Sequence, residues 1–277
     1  MPELPEVETI ARGVCERVRG DVIVETWFGS HKEPFKTSAR TQAEELEGRA
    51  FETVERVGKH IVCRLSANLD GPKKERAEWI VHLGMTGRLL VTTPEAPVEM
   101  HTHARLTLKS GKEVRFVDPR RFGRLEFRGL DKAKGFEAPG AEPLAIETEA
   151  FRALFHGRKL AIKAALLNQT LLAGVGNIYA DESLFRAGLR PRRRADRLTA
   201  LELERLRLAL VEVLRSAIRL GGSSVSDYVD ANGVRGFFQL EHRVYQRTGE
   251  PCLVCRTPIK RIVVAGRSTH YCPQCQR

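Results

Sequence analysis

The sequence lacks any long hydrophobic run. No apolar stretch in its 277 residues approaches the length that a membrane-spanning helix needs, so we expect no contact with a membrane. The beginning of the chain is charged rather than signal-like, and no internal repeat is present. These absences favour a cytosolic protein. The length of 277 residues suits one large domain or two of ordinary size.

Cysteine is scarce except at the end of the chain, where four of the six cysteines form two CxxC pairs separated by 16 residues. The four are Cys252, Cys255, Cys272 and Cys275. This spacing is typical of a tetrahedral four-thiolate site, so we predict one structural Zn²⁺. Two disulfides or a redox pair are the alternatives, and a cytosolic chain disfavours both. Cys15 and Cys63 lie in apolar patterns and are predicted to be buried thiols.

Acidic residues are fewer than basic ones, with 35 Asp and Glu against 46 Lys and Arg, which makes the net charge +11. A polyanion such as nucleic acid is therefore an expected partner, although many basic proteins bind none. The basic residues are densest in "RAGLRPRRRADR" at 186–197, which faces either DNA or only solvent.

The hydrophobic pattern changes along the chain. Residues 1–134 are predicted to be mainly strands after one helix. Residues 135–148 contain proline and glycine without periodicity, which indicates a linker. Residues 149–238 have helical periodicity, and residues 239–277 carry the cysteine pairs. The sequence thus predicts an α+β multidomain fold that ends in a zinc hairpin.

Two local signals are strong. In "ARLTLKSGKEVRFV", alternating residues flank Ser110 and Gly111, which predicts a β-hairpin. Thr199 and Glu202 form a capping box at the start of the longest predicted helix, which continues to about Leu220.

A glycine-rich turn, "AGVGNIYADE" at 173–182, precedes another predicted helix. Gly174 and Gly176 let the backbone approach a ligand closely, and Asn177 stands where the helix begins. Free N–H groups at a helix start can bind phosphate, although a simple turn between two helices needs the same glycines.

Two short loops combine glycine with side chains that suit contact with DNA bases. In "DPRRFGRLEF", Arg120 and Phe122 are two apart on an extended segment and so point the same way. Such a pair can wedge into a base stack, or Phe122 can belong to the core beside ordinary surface arginines. Met85 in "HLGMTG" is either exposed in the same manner or fills the core.

The chain begins with two Pro-Glu pairs in "MPELPEVET". Pro5 and Glu6 suit the first turn of a helix, because apolar residues follow them at helical spacing. If the initiator methionine is removed, Pro2 becomes an amine with a pKa near ~8, partly nucleophilic at neutral pH. Glu3 beside it can donate or accept a proton. These parts suit attack on an aldehyde-like carbon such as C1′ of an opened deoxyribose; an idle N-terminal tail is the alternative.

Together these features resemble the formamidopyrimidine-DNA glycosylase family, bacterial enzymes that remove oxidised purines such as 8-oxoguanine. The motifs are "MPELPEVET", "HLGMTG", "DPRRFG", "GVGNIYADESLF" and the terminal CxxC pairs. Each motif is moderately specific, and all five in this order are highly specific. The resemblance covers the full chain.

The resemblance implies an N-terminal β-sandwich with a leading helix, a helix–two-turn–helix domain with a lesion-recognition loop, and a zinc β-hairpin. It implies a bifunctional DNA glycosylase and abasic-site lyase of base excision repair, with an iminium intermediate on Pro2 and then β- and δ-elimination. The expected partner is double-stranded DNA that contains an oxidised purine or an abasic site. We expect the protein to be a monomer in the bacterial cytoplasm and to associate with the nucleoid by binding DNA.

The resemblance also implies a role for each candidate residue. Pro2 attacks C1′, Glu3 assists opening of the sugar ring, and Glu6 is a supporting carboxylate. Lys59 contacts the phosphate next to the lesion and assists catalysis. The residues expected to fill the void left by the everted base are Met85, Arg120 and Phe122, with the arginine facing the orphaned cytosine. The residues expected to contact phosphate or the lesion are Lys163, Asn177 and Arg267.

Two other interpretations stay open. An enzyme of the endonuclease VIII type shares the proline and the helix–two-turn–helix but prefers oxidised pyrimidines; "PELPEVET" and "DPRRFG" follow the purine-specific branch. A non-catalytic, nucleic-acid-binding zinc protein would use the same basic surface. Segment 222–238 lies where the purine-specific branch carries a flexible loop over the flipped base, and its individual residues are not assigned.

Overall fold

The chain folds into two units, each with its own buried core. The computed structural model describes residues 1–31, 34–67, 75–130, 134–224 and 229–277. The first unit comprises Met1–Glu137 and Gly221–Gly236, and the second comprises Ala138–Leu220 and Phe237–Arg277. The domain limits predicted from the sequence stay predictions.

Two four-stranded antiparallel sheets and two helices form most of the first unit. The helices are α1 (Leu4–Val18) and α2 (Ala39–Leu46). The strands are β1 (Ile23–Phe28), β2 (Phe51–Val57), β3 (His60–Leu65), β4 (Ala77–His82), β5 (Arg88–Thr92), β6 (Thr102–Leu108), β7 (Glu113–Val117) and β8 (Arg124–Gly129). One sheet has the order β1-β6-β7-β5, and the other has the order β2-β3-β4-β8.

Both sheets contribute to one hydrophobic core, and α1 packs into it. Trp79 of β4 and Phe116 of β7, which come from different sheets, are among its largest fully buried side chains. Val7, Ile10 and other apolar residues of α1 are buried at the helical spacing that the sequence predicts. This arrangement confirms the predicted β-sandwich with a leading helix.

In two hairpin turns of this unit, a glycine has the positive φ angle that other residues rarely adopt. The predicted β6–β7 hairpin is present: Leu108 N–H donates to the Lys112 carbonyl at 2.8 Å, and Gly111 has φ 85°. In the β2–β3 hairpin, Gly58 has φ 62° and is followed by Lys59. A positive φ at the first central residue is the requirement of a type II′ turn, which places Lys59 at a hairpin tip.

Among the described helices and strands of this unit, α2 is not indicated by the sequence pattern. It begins after Ser38, whose hydroxyl accepts a hydrogen bond from Thr41 N–H at 3.1 Å. The helix buries Gln42 and Leu46. Gln42 accepts a hydrogen bond from the Trp79 indole at 2.9 Å, so a polar residue occupies the position where an apolar stripe would have revealed the helix.

The second unit is helical and ends in a two-stranded hairpin. Its helices are α3 (Thr148–Ala153), α4 (Ile162–Leu167), α5 (Asn177–Arg186) and α6 (Ala200–Arg219), with 3₁₀ turns at Ala195–Arg197 and Phe238–Glu241. The predicted capping box of α6 is present: Thr199 N–H donates to Glu202 at 2.9 Å, and Glu202 N–H donates to the Thr199 hydroxyl at 3.3 Å. Strands β9 (Lys260–Val264) and β10 (Arg267–Tyr271) form the hairpin.

A buried carboxylate attaches α5 to the segment that leads into the cysteine-rich end. Glu182 accepts hydrogen bonds from the backbone N–H groups of Arg243, Val244 and Tyr245 at 2.9–3.0 Å. Burial raises the pKa of Glu182, and these hydrogen bonds oppose that shift. The second unit is therefore stabilised by polar contacts as well as by its apolar core.

In the part of the chain that the structure describes, no helix combines the length and the apolar composition needed to cross a membrane.

Candidate functional site

The N-terminal residues Pro2 and Glu3 are held at the start of α1. Both are buried, whereas Met1 before them is exposed. Glu3 is the N-cap of the helix, and its backbone N–H donates to the Glu6 carboxylate at 2.8 Å. Because no backbone carbonyl of a preceding turn is available at a helix start, the Glu6 carboxylate accepts this N–H and fixes the direction in which the terminus enters the helix.

The second oxygen of Glu6 contacts a distant segment of the same unit. Oε1 accepts a hydrogen bond from Ser223 N–H at 2.7 Å, and the Glu6 side chain is buried. Further along the same segment, Asn232 accepts a hydrogen bond from Arg17 of α1 at 2.6 Å. The predicted loop 222–238 therefore begins and continues against α1. Its residues 225–228 lie outside the described residues.

Lys59, at the tip of the β2–β3 hairpin, is connected to α1 through Arg56. The Arg56 guanidinium donates to Glu8 of α1 at 2.8 Å and to the carbonyl of Gly58 at 3.2 Å. Arg56 is nearly buried, so this ion pair is shielded from solvent. The helix that carries the N-terminus and the turn that carries Lys59 are thus held by one guanidinium.

Two histidines lie beside Lys59. The rings of His60 and His82 are 4.8 Å apart. Burial, with the charge of Lys59 next in size, lowers the pKa of His82. Burial also lowers the pKa of His60 to about 4, and the neighbouring His82 adds to this shift. Both imidazoles are therefore neutral at pH 7, and Nδ1 of His82 accepts the Gly84 N–H at 3.2 Å.

Met85, Arg120 and Phe122, here called the exposed triad, lie on two turns that touch. Met85 is 41% exposed and Phe122 is 50% exposed. The Arg120 guanidinium lies 4.8 Å from the centre of the Phe122 ring, a cation–π contact. The alternative that Met85 and Phe122 belong to the core does not fit this exposure. A group of apolar and cationic side chains is displayed to solvent together.

In the second unit, Asn177 and Lys163 meet at one backbone carbonyl. Asn177 is the first residue of α5, and its side-chain amide donates to the Ser268 carbonyl at 2.9 Å. The Lys163 ammonium donates to the same carbonyl at 2.9 Å. Ser268 follows Arg267, which is exposed at the start of β10. The structure therefore brings these three predicted residues to one end of the hairpin.

Lys163 itself has no exposed surface. Its ammonium lies 2.6 Å from Asp181 Oδ1 and also donates to the Thr269 hydroxyl at 2.9 Å. Asp181 in turn accepts the His270 N–H at 2.8 Å. The ammonium of Lys163 is therefore engaged inside the protein, and its predicted contact with phosphate or the lesion stays a prediction.

The turn that presents Arg267 has a defined geometry. Ala265 and Gly266 have φ values of 48° and 72°, and Val264 pairs with Arg267. Two consecutive positive φ values are typical of a type I′ turn, whose twist matches the flanking strands. Arg267 therefore extends from a rigid hairpin end.

The arginine-rich segment 186–197 is partly neutralised within the protein. Arg193 pairs with Glu202 at 2.6 Å, and Arg194 pairs with Asp196 at 2.6 Å. Arg192 donates to the carbonyl of Val263 in β9 at 3.3 Å. These contacts give several of the arginines an intramolecular role, and a DNA-facing role for the segment stays a prediction.

The four cysteines at the end of the chain form a metal site. Their sulfurs all lie within 4.8 Å of one another, and the Cys255 and Cys272 sulfurs are 3.4 Å apart. Sulfurs about 2.3 Å from a tetrahedral Zn²⁺ lie about 3.8 Å from each other, so the cluster fits this ion. Cys275 N–H donates to the Cys272 sulfur at 3.4 Å, a bond that stabilises a thiolate ligand. Cys15 and Cys63 are free thiols outside this cluster.

Several residues that support the site were not singled out from the sequence. They are Glu8, Arg56, Asp118, Asp181 and Ser223. Four of them stand within a motif or segment noted in the sequence: Glu8 in "MPELPEVET", Asp118 in "DPRRFG", Asp181 in "GVGNIYADESLF" and Ser223 in segment 222–238. Membership of such a stretch is the signal that marks these four. Arg56 lies outside all of them and acts through a long-range contact with Glu8 that no local pattern encodes.

The fold and these groups define a zinc-containing protein with an N-terminal β-sandwich and a helical second unit. Three family models match in succession. Residues 1–125 match the formamidopyrimidine-DNA glycosylase N-terminal domain, residues 139–229 match the H2TH domain of the same enzymes, and residues 249–277 match a zinc finger found in FPG and IleRS. The chain belongs to the formamidopyrimidine-DNA glycosylase family.

Individual relatives agree over the full length. A formamidopyrimidine-DNA glycosylase of Solibacter usitatus is 45% identical over 282 residues, which cover 100% of both chains. A Lactococcus lactis FPG variant in complex with a Fapy-dG containing DNA has a TM-score of 0.88 at 33% identity, with 100% of both chains covered. The Lactococcus lactis Fpg in complex with an abasic site containing DNA has a TM-score of 0.87 at 34% identity, with 99% of both chains covered.

Family membership and the metal site establish the activity of the protein, its binding of DNA and its metal ion. The protein is a DNA glycosylase of base excision repair with abasic-site lyase activity. It binds DNA. Cys252, Cys255, Cys272 and Cys275 hold one structural zinc ion.

Proposed function

We propose that this enzyme excises oxidised purines, 8-oxoguanine and formamidopyrimidines, from double-stranded DNA with Pro2 as its nucleophile. The observation that carries the proposal is the anchoring of Pro2-Glu3 at the start of α1 by the Glu6 carboxylate. An idle N-terminal tail would not be buried or hydrogen-bonded in this way. Removal of the exposed Met1 uncovers the Pro2 nitrogen as a secondary amine.

Base release follows from an amine beside a carboxyl group. The Pro2 nitrogen forms a bond to C1′ while the bond from C1′ to the base breaks, and the base leaves with that electron pair and with the proton that the Pro2 amine gives up. Glu3 protonates the ring oxygen as the bond from C1′ to O4′ breaks, which leaves an iminium between Pro2 and C1′. Glu3 adjoins Pro2 in the chain and is buried with it, which supports its proposed role as the proton donor beside the nucleophile.

Strand cleavage uses the same iminium as an electron sink. Loss of a C2′ proton expels the 3′ phosphate, and a second elimination expels the 5′ phosphate. Water then hydrolyses the product from Pro2 and restores the amine. The expected products are a one-nucleotide gap with phosphate at both ends and a free unsaturated sugar fragment.

Lys59 is proposed to hold the phosphate next to the lesion. Its position on a type II′ hairpin tip, with Arg56 bonded to both the tip and α1, supports a fixed distance between the backbone of the tip and the N-terminus. An ammonium held in this way can orient the sugar toward Pro2 before reaction.

The exposed triad is proposed to occupy the space that the everted nucleotide leaves. Taking a base out of the stack costs a few kcal/mol, and contacts that fill the void offset part of this cost. Arg120 has donors for the orphaned cytosine, and its stacking on Phe122 orients them. Met85 supplies flexible apolar surface on the neighbouring turn.

Asn177 and Arg267 are proposed to contact phosphate directly, whereas Lys163 is proposed to act through the hairpin. The hydrogen bonds of Lys163 to Ser268 and Thr269 support a role in positioning Arg267. This assignment keeps Lys163 in the DNA-binding function and explains its burial. The enzyme is further proposed to act as a monomer on nucleoid DNA in the bacterial cytoplasm.

Borohydride trapping tests the nucleophile. With an oligonucleotide duplex that carries 8-oxoguanine opposite cytosine, reduction should give a covalent adduct, and peptide mass spectrometry should locate it on Pro2. The Lys59→Ala variant should react more slowly but still give the adduct on Pro2. An adduct on another residue, or none from protein whose intact mass shows loss of Met1, would overturn the proposed chemistry.

Substrate class needs a separate comparison. Single-turnover excision should be faster for 8-oxoguanine than for thymine glycol in otherwise identical duplexes. The opposite order would identify an endonuclease VIII-like specificity while leaving the Pro2 chemistry intact.

A further inference from the structure

Asp118 lies at the junction of the two turns that display the exposed triad. Its side chain is fully buried just after β7. Oδ1 accepts a hydrogen bond from the Thr86 hydroxyl at 2.6 Å and from the Arg120 N–H at 3.3 Å. Oδ2 accepts the Gly123 N–H at 2.8 Å. One carboxylate therefore holds the turn that carries Met85 and the turn that carries the other two members.

The two turns are also in direct backbone contact. A Cβ atom on Gly84 would lie 2.4 Å from the carbonyl carbon of Phe122 and 2.5 Å from the nitrogen of Gly123. Gly84 also has φ 61°, a left-handed backbone conformation that favours glycine. The close approach of the two turns therefore requires glycine at this position for two reasons: it has no side chain, and it adopts this φ readily. The turns thus form a single platform, linked by the Asp118 carboxylate and by the Arg120 N–H, which donates to the Thr86 hydroxyl at 3.4 Å.

We propose that Asp118 is a positioning residue that presents the exposed triad as one rigid group during base eversion, an inference that rests on the proposed function. Two N–H donors and one hydroxyl donor converge on this buried site, and a carboxylate of this size can accept all three. Without the link, exposed Met85 and Phe122 would gain by folding onto the protein surface and would no longer be ready to enter the duplex.

Substitutions at Thr86 test the link between the turns without altering the buried carboxylate, because the Thr86 hydroxyl contacts both Asp118 and the Arg120 N–H. Thr86→Val removes the hydroxyl at nearly constant shape, and Thr86→Ser restores it. Asp118→Asn keeps the shape of the side chain but places an N–H group against one of the three donors. If Asp118→Asn does not fold, the Thr86 pair still decides the question.

The measurement is the single-turnover rate on two duplexes, one with 8-oxoguanine and one with a preformed abasic site. Thr86→Val should slow 8-oxoguanine excision by about tenfold, since small misplacements at a reacting site cost one to two orders of magnitude. Reaction at the abasic site should change much less, and Thr86→Ser should restore excision. A 2-aminopurine beside the lesion should show a smaller rise in fluorescence for Thr86→Val, because eversion is impaired. In an Arg120→Ala background, Thr86→Val should have little further effect.

Three results would overturn the inference: equal losses on both duplexes, an unchanged excision rate for Thr86→Val, or a full additional loss in the Arg120→Ala background. The same assays on the parent enzyme distinguish these three results from a failure of the proposed function. If the parent neither excises 8-oxoguanine nor traps on Pro2, the proposed function itself is wrong.

Discussion

Glu6 and Ser223 are far apart in the chain, yet the Glu6 carboxylate accepts the Ser223 N–H at 2.7 Å. The other oxygen of the same carboxylate accepts the Glu3 N–H at 2.8 Å. Both contacts lie within the first unit. The start of the predicted recognition loop and the proposed reactive terminus are therefore joined by one buried side chain.

Glu6→Gln should weaken this junction. An amide has one acceptor oxygen, so one of the two backbone N–H groups would face an NH₂ group instead, at a cost of about 1–3 kcal/mol. We expect faster hydrogen exchange at the Ser223 amide and slower trapping on Pro2. Glu8→Gln, on the same helix, is the matched control and should leave Ser223 exchange unchanged. Unaltered exchange in Glu6→Gln would show that the bond is not maintained in solution.

Lys163 and Arg267 should behave as a coupled pair in DNA binding. If Lys163 acts by positioning the hairpin, Lys163→Met and Arg267→Ala weaken binding by similar factors, and the double variant is no weaker than Arg267→Ala alone. Titrations at several salt concentrations measure this. Lys163→Met also leaves Asp181 buried without its partner, so its unfolding free energy should fall by about 3–5 kcal/mol. Fully additive losses in affinity would indicate an independent phosphate contact.

Cys272→Ser should lower the zinc content, because a serine hydroxyl is a poor ligand in a four-thiolate site. Metal analysis of purified protein should show clearly less than one zinc per chain and weaker binding to duplex DNA. Cys15→Ser, outside the cluster, should keep one zinc. Full occupancy in Cys272→Ser would contradict the assignment of the four ligands.

Arg120→Ala should separate base eversion from later chemistry. Contacts of a side chain with an unstacked base are worth about 1–3 kcal/mol, so excision of 8-oxoguanine should slow by about tenfold or more. Reaction at a preformed abasic site should slow less, since no base has to leave the stack. Arg40→Ala removes the same charge from the exposed surface of α2 and should affect neither rate. Equal losses on both substrates for Arg120→Ala would refute a void-filling role.

His60 should make the first unit less stable in mild acid. Its pKa is lowered to about 4 by burial and by His82. An unfolded histidine titrates near ~6.5, so between these values the unfolded chain binds the extra proton and stability falls as the pH falls. His60→Gln should flatten the dependence of the unfolding free energy on pH between 4 and 6.5. An unchanged slope would show that His60 is not the titrating group.

Urea unfolding followed by tryptophan fluorescence suits the His60 measurement. Trp27 and Trp79, the two tryptophans of the chain, both belong to the first unit, so the signal reports on that unit alone. The same substitution at the exposed His156 of the second unit is the control and should leave the slope as in the parent protein.

Local chemistry allowed much of this protein to be predicted. Thr199 and Glu202 cap α6 because both members of the box lie within four residues of each other. The hairpin at Ser110-Gly111 and the four zinc ligands are likewise encoded by short-range spacing. Such features are recognisable because every atom that they need is close in sequence.

Contacts between residues that are distant in the chain could not be predicted from the sequence pattern. The burial of Lys163 depends on Asp181 and on Thr269 of the hairpin, which are brought together only by packing of the second unit. A lysine isolated in sequence has the same local pattern whether its ammonium contacts a phosphate or a buried carboxylate. For the same reason, α2 was missed: its buried Gln42 is explained by Trp79, which is distant in the chain.

The sequence by itself determined the α+β organisation and the zinc ligands, because each is marked by spacing or by motif, and it predicted the residues of the proposed reactive terminus. Only the tertiary structure decided that Glu6 joins Glu3 to Ser223, that Asp118 links the two turns of the exposed triad, and that Lys163 supports the hairpin from inside. The physical reason is common to all three. A buried charge must be satisfied by partners whose approach depends on the fold as a whole.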